Sequence, residues 1–238
     1  MPVLSDADVE RLRAARELIL ERIAAACARA GRASDTVTLV AVSKTVPAER
    51  LLAAVAAGLT VLGENRVQEA AGKVADVAGA RWHLVGPLQS NKARRAVELF
   101  DVIQTVDSAD LGQRLDRVVA ELRPGRPLDV LVQVNVDGDP NKAGVAPRDA
   151  ARVIDGLASC ANLAVRGLMT VGRLTDDPIE RRATFAGLRE LSVALKARVA
   201  LGPELSMGMS DDFDIAIEEG ATIVRVGRAI FGERPLTR

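Results

Sequence analysis

Eight short runs rich in apolar and β-branched residues recur along the chain, near 37–43, 59–63, 81–86, 101–106, 128–136, 163–169, 204–207 and 222–226. Alanine-rich amphipathic stretches separate them, near 47–57, 65–78, 91–99, 109–122, 147–160, 178–200 and 211–219. The runs are continuously apolar rather than alternating, as expected of parallel strands covered on both faces. Eight such units in 238 residues fit a (β/α)8 TIM barrel. An open doubly wound sheet is the alternative. It usually carries a Gly-x-Gly-x-x-Gly turn after its first strand, and "SKTVPAE" contains no glycine. Ahead of the first run, Val9, Leu12, Ala15, Ile19, Ile23 and Ala26 fall on one stripe over residues 5–30, which predicts an extra N-terminal helix. Ser5 or Asp6 can start it and Gly31 can end it. Pro47, Pro147 and Pro178 stand where helices would begin, and Gly58 and Gly220 where they would stop. A short final helix is expected from about 228. With no linker or low-complexity segment, residues 1–238 read as a single domain.

Charge and residue counts narrow the function. Lys plus Arg and Asp plus Glu are equal, at 32 each, so no nucleic-acid or membrane-surface partner is expected. No run is long enough to span a membrane, and "MPVLSDADVERLRAAR" has no apolar core of a secretory signal. Cys27 and Cys160 sit in alanine-rich surroundings and read as reduced, buried thiols of a cytoplasmic protein. The chain has one histidine, His83, and no tyrosine. A His-rich metal site is therefore impossible within one chain, and no metal is expected. A Ser-His-Asp triad would need His83 and a Gly-x-Ser-x-Gly elbow, which is absent.

In a barrel of this kind the active groups stand at the C-terminal ends of the strands. Lys44 stands there after "VTLVAVS", where a buried ammonium is costly unless paired, neutralised or chemically used. The plain alternative is a solvated first loop residue. The second strand leads into "GENRVQEA", with Glu64 and Asn65, the third carries His83, and the sixth ends at Met169. After the seventh, "SMGMS" supplies Ser206 and Gly208; after the eighth, "RVGRAIFG" supplies Arg225 and Gly227 before a helix start. Glycine turns and helix N-termini bind phosphate, and barrels often place it after strands seven and eight. Ser210, Asp211 and Asp212 read instead as capping and charging a helix start. A lysine opposite a phosphate cradle suits a phosphorylated aldehyde, since lysine forms Schiff bases with carbonyls. Pyridoxal 5′-phosphate is the common one; a sugar phosphate in an aldolase is the rival.

The stretches "LVAVSKTVP", "GENRVQEA", "WHLVGPLQSNKAR", "IQTVDS", "GLMTV" and "LSMGMSDDFDIAIEEGATIVRVGRAIFGER" occur in order over residues 37 to 233 or so. In these the chain resembles the pyridoxal phosphate homeostasis proteins. The resemblance implies a barrel like the N-terminal domain of alanine racemase, with Lys44 holding pyridoxal 5′-phosphate as an internal aldimine. It implies further contacts from Asn65, Met169 and a phosphate cup of Ser206, Gly227 and residue 228, with Arg225 facing the pyridine nitrogen. Arg228 departs from the threonine that many relatives carry after that glycine.

The function so implied is intracellular cofactor homeostasis and delivery, to apo-enzymes that need the cofactor, by a monomer without catalysis of its own. The residues favour the same reading. Racemisation needs an acid or base on both faces of the substrate carbon, and racemases of this fold class take a tyrosine from a second, all-β domain. No tyrosine is available here. A weak racemase and a Schiff-base aldolase remain as alternatives. His83 and Trp82 read as core residues, and Lys92, Arg94 and Arg95 as a wet helix face. Asp137 and Asp139 resemble a cation loop without the later glutamate it needs.

Overall fold

The computed structural model describes residues 5–232, so the domain bounds 1 and 238 and the end of the "FGER" motif lie outside the described residues. Eight strands close into a barrel in chain order: β1 (Thr38–Val42), β2 (Val61–Glu64), β3 (Arg81–Leu84), β4 (Val102–Val106), β5 (Leu128–Gln133), β6 (Leu163–Met169), β7 (Glu204–Ser206) and β8 (Ile223–Val226). Every neighbouring pair is parallel, and β8 returns to pair with β1, Val40 opposite Arg225 and Ala41 opposite Val226. Closure removes the strand edges that an open sheet would expose.

Helices α1 (Asp6–Arg29), α2 (Ala48–Ala56), α3 (Val67–Ala71), α4 (Ala93–Leu99), α5 (Ala109–Leu122), α6 (Ala150–Leu157), α7 (Pro178–Lys196), α8 (Phe213–Glu218) and α9 (Arg228–Phe231) surround the sheet or follow it. The main core lies between helices and sheet; a smaller one inside the barrel holds Val40, Leu131, Met169 and Ile223. The extra helix α1 packs against α2, α8 and α9, so it lies across the seam where β8 meets β1. It buries Leu12, Ile19 and Ile23, each contributing about 1.5–3 kcal/mol. Arg22 pairs with Asp214 at 2.8 Å and Arg29 with Glu218 at 2.7 Å along the same contact.

Boundaries differ from the sequence expectation for local reasons. The second strand begins at Val61 rather than 59 because Gly58, at φ 89, turns α2 off and Leu59 N–H caps it by donating to Ala54 O at 2.9 Å. The fifth ends at Gln133 rather than 136: past an isolated bridge of Val134 with Val145, Asn135 Nδ2 donates to Asp139 O at 2.8 Å and folds the loop back. The helix expected over 65–78 is regular only over Val67–Ala71 and continues to Val77 as successive turns.

Candidate functional site

The strand ends converge on one mouth. Beyond β1 the chain turns through Ser43, Lys44 and Thr45, and Val46 N–H closes the turn by donating to Ser43 O at 3.0 Å. Lys44 is half-buried, not a solvated loop residue. Thr45 has φ 65, the one positive φ of a non-glycine among the described residues. Such a conformation costs about 1–3 kcal/mol and persists only where neighbours impose it. Here they do. Ser43 N–H donates to Gly63 O at 2.8 Å, and Ser43 Oγ donates to Glu64 Oε1 at 2.6 Å. Lys73 Nζ donates to Ser43 O at 3.0 Å, to Glu64 Oε1 at 2.8 Å and to Glu69 Oε1 at 2.6 Å. Thr45 N–H donates to the same Glu69 carboxylate.

Glu64 is fully buried, and burial pushes its carboxyl above the usual range despite hydrogen bonds from Lys73 and Ser43. Burial acts on Glu69 too, but Lys73 and the Thr45 N–H together outweigh it and hold that carboxyl low. Glu64 was legible as a strand-end residue. Lys73 and Glu69 were not: they stand four apart in an ordinary-looking helical stretch, and burial of Lys73 depends on the Ser43 carbonyl thirty residues earlier.

Across the seam, Gly227 follows β8 against β1, where an added Cβ would lie 3.1 Å from Val42 O. Arg228 opens α9; its guanidinium is outward and paired with Asp211. Met169 and Ser206 end adjacent strands in register. Asn65 follows β2, its backbone packed so closely on Gly86 that a Cβ there would meet Asn65 O at 2.3 Å. Lys44, Asn65, Met169, Ser206, Gly227 and Arg228 thus share one end of the barrel, and Arg225 lies just inside it.

A polar chain runs through the barrel beneath them. Arg225, 4% exposed, donates from Nη1 to Ser206 Oγ at 2.7 Å and from Nη2 to Thr170 O at 2.8 Å. Ser206 Oγ donates to Gln104 Oε1 at 2.6 Å. The Gln104 amide then meets His83 Nδ1 at 2.8 Å, which makes Nδ1 the acceptor and leaves the imidazole proton on Nε2. Nε2 is buried without a protein partner. Burial, reinforced by Arg81, lowers the His83 pKa to about 3, so the ring is neutral. Burial also lowers Arg225 to about 10, opposed by Asp212, and it stays charged at neutral pH. Sequence reading missed Gln104, although a glutamine inside the buried strand "VIQTV" was a signal.

The donor set is an amine, a buried guanidinium and a glycine turn kept clear of side chain, all at one mouth. It suits an anionic carbonyl compound. The family model for the N-terminal domain of alanine racemase matches residues 18–235, which sets the class of the barrel. The alanine racemase of Clostridium difficile 630 shares that fold at TM-score 0.73 and 14% identity, covering 95% of this chain and 57% of that one. A pyridoxal phosphate homeostasis protein of Pseudomonas aeruginosa is 46% identical over 221 residues, 91% of this chain and 93% of its own. One from Escherichia coli K12 is 38% identical over 229 residues, 92% and 95% of the two chains. PipY of Synechococcus elongatus, solved with PLP bound, superposes at TM-score 0.78 with 42% identity, covering 90% of this chain and all of that one. The chain belongs to the pyridoxal phosphate homeostasis protein family.

Proposed function

We propose that the protein binds pyridoxal 5′-phosphate at the barrel mouth and serves cofactor homeostasis and delivery rather than turnover. The observation that carries this is the pairing across the seam: Lys44 beyond β1 and the bare Gly227 beyond β8, on adjacent strands of one closed barrel. The family and its PLP-bound member support it. The bound cofactor supplies an aldehyde and a phosphate dianion. Lys44 Nζ is the covalent attachment point. Asn65 and Met169 line the ring, and Arg225 faces the ring nitrogen, where its positive charge disfavours protonation of that nitrogen. The N–H groups at Gly227 and Arg228 take the phosphate. Ser206 assists, by its hydroxyl or through the Arg225 that it holds.

We place the chain in the cytoplasm as a single cofactor-binding unit that acts as a monomer and passes cofactor to apo-enzymes. Cys27 and Cys160 are buried free thiols, as a reducing compartment favours. No helix among the described residues is long and apolar enough to cross a membrane.

The test is an absorption spectrum of the purified protein with pyridoxal phosphate, before and after borohydride, followed by peptide mass mapping. Cofactor mass on the Lys44 peptide is expected. Label on another lysine, with Lys44→Ala labelled as well as wild type, overturns the assignment.

A further inference from the structure

The residues on either side of Lys44 are clamped by side chains that have no place in the cofactor set. Lys73 Nζ sits between Ser43 O at 3.0 Å, Glu64 Oε1 at 2.8 Å and Glu69 Oε1 at 2.6 Å. Ser43 Oγ reaches Glu64 at 2.6 Å, and Thr45 N–H ends on Glu69. Three of these five bonds terminate on a neighbour of Lys44, one before it and one after. A buried ion cluster is a poor source of stability, because desolvation offsets the attraction. This one leaves Glu64 Oε2 buried without a partner. Apolar side chains would fill the same space at lower cost. What they could not do is hold Ser43 O and Thr45 N–H in the turn that carries positive φ at Thr45.

We infer that Lys73, braced by Glu64 and Glu69, is a positioning residue for Lys44: it fixes the main chain on both sides so that Nζ meets a carbonyl at the mouth in one orientation. The inference rests on the reading of Lys44 as the attachment point. It separates two parts of binding. Covalent capture depends on the clamp, whereas recognition of ring and phosphate does not.

The experiment compares wild type with Glu64→Gln/Lys73→Met, which removes both charges of the buried pair together, and with Glu69→Gln at a partly exposed site. Two probes are titrated: pyridoxal 5′-phosphate, which carries the aldehyde, and pyridoxine 5′-phosphate, which lacks it. Acetylation of Lys44 relative to the exposed Lys196 is followed in the cofactor-free protein by peptide mass mapping. For the double variant, borohydride-fixed label on Lys44 should require about tenfold more pyridoxal phosphate, with pyridoxine phosphate affinity unchanged within twofold and the acetylation ratio altered. Glu69→Gln should shift in the same direction by about threefold, and it carries the test if the double variant does not fold. Unchanged capture, or equal weakening of both probes, overturns the inference while leaving the attachment point intact. Absence of label on Lys44 in wild type removes the reading itself and the inference with it.

Discussion

Gly227 stands against Val42, with 3.1 Å between the carbonyl oxygen of Val42 and the place where a side chain on Gly227 would begin. Gly227→Val must push into that carbonyl or into the proposed phosphate approach. Ser206→Ala removes one charge-assisted bond, worth about 1–2 kcal/mol, or roughly 5- to 30-fold in affinity. Spectroscopic titration with pyridoxal phosphate should show Gly227→Val at least 100-fold weakened and Ser206→Ala within that smaller range. Small and equal effects of both would place the phosphate elsewhere.

His83 makes the fold acid-sensitive. Its folded pKa of about 3 lies below the ordinary value of 6.5. Between those values the unfolded chain binds a proton that the native protein does not, so stability falls as pH drops through the window. The difference reaches about 2 kcal/mol at pH 5. His83→Gln removes this contribution. Urea unfolding should show the gap between wild type and variant shrinking by about 2 kcal/mol from pH 7.5 to pH 5. A constant gap would mean that His83 is not held neutral.

Gly167 in β6 lies tight against β7. A Cβ there would come within 1.9 Å of Glu204 O and 2.6 Å of its carbonyl carbon, both backbone atoms of a paired strand. Gly167→Ala is expected to cost about 3 kcal/mol or more by overpacking. Gly125→Ala, where nothing lies within 4 Å but φ is 73, should cost about 1 kcal/mol from backbone strain alone. Chemical denaturation of the two variants separates them.

Amino-acid turnover should stay below about one per second, the lower end of ordinary enzymes. A positioned acid or base is worth about 10²–10⁴-fold, and the chain has no tyrosine to act as one. Incubating the loaded protein with single-enantiomer amino acids should yield no racemised, decarboxylated or transaminated product at that rate. An apo-enzyme mixed with the loaded protein should meanwhile regain activity.

The barrel was legible because each strand is a continuous apolar run and each crossover an amphipathic one, a pattern written locally. Lys44 was legible for the same reason, as a charge directly after such a run. The support around it was not. Lys73 looks like any helical lysine until the fold brings Ser43 O to it, and Glu69 until it meets the Thr45 N–H. The length of α3 also escaped, because the segment past Gly72 follows the needs of buried Lys73 and Val77 rather than its own periodicity. Arg225 was legible as a charged residue within the eighth apolar run. That its partners would be a hydroxyl and a carbonyl, not a carboxylate, depends on β6 and β7, which no local pattern specifies.

The seam between β8 and β1 has a temporal meaning. Lys44 and Gly227 follow the first and last strands, so no nascent chain owns both halves of the mouth until the eighth strand has been made. Contacts of such separation form late because the intervening loop must close first. Helix α1, bridging to α8 and α9 across the same line, waits for the same event. A ligand held across the mouth would bind the finished barrel and not its precursors, and so would stabilise closure by mass action. The cofactor pool would then bear on how much of this protein persists folded, as well as the protein bearing on the pool.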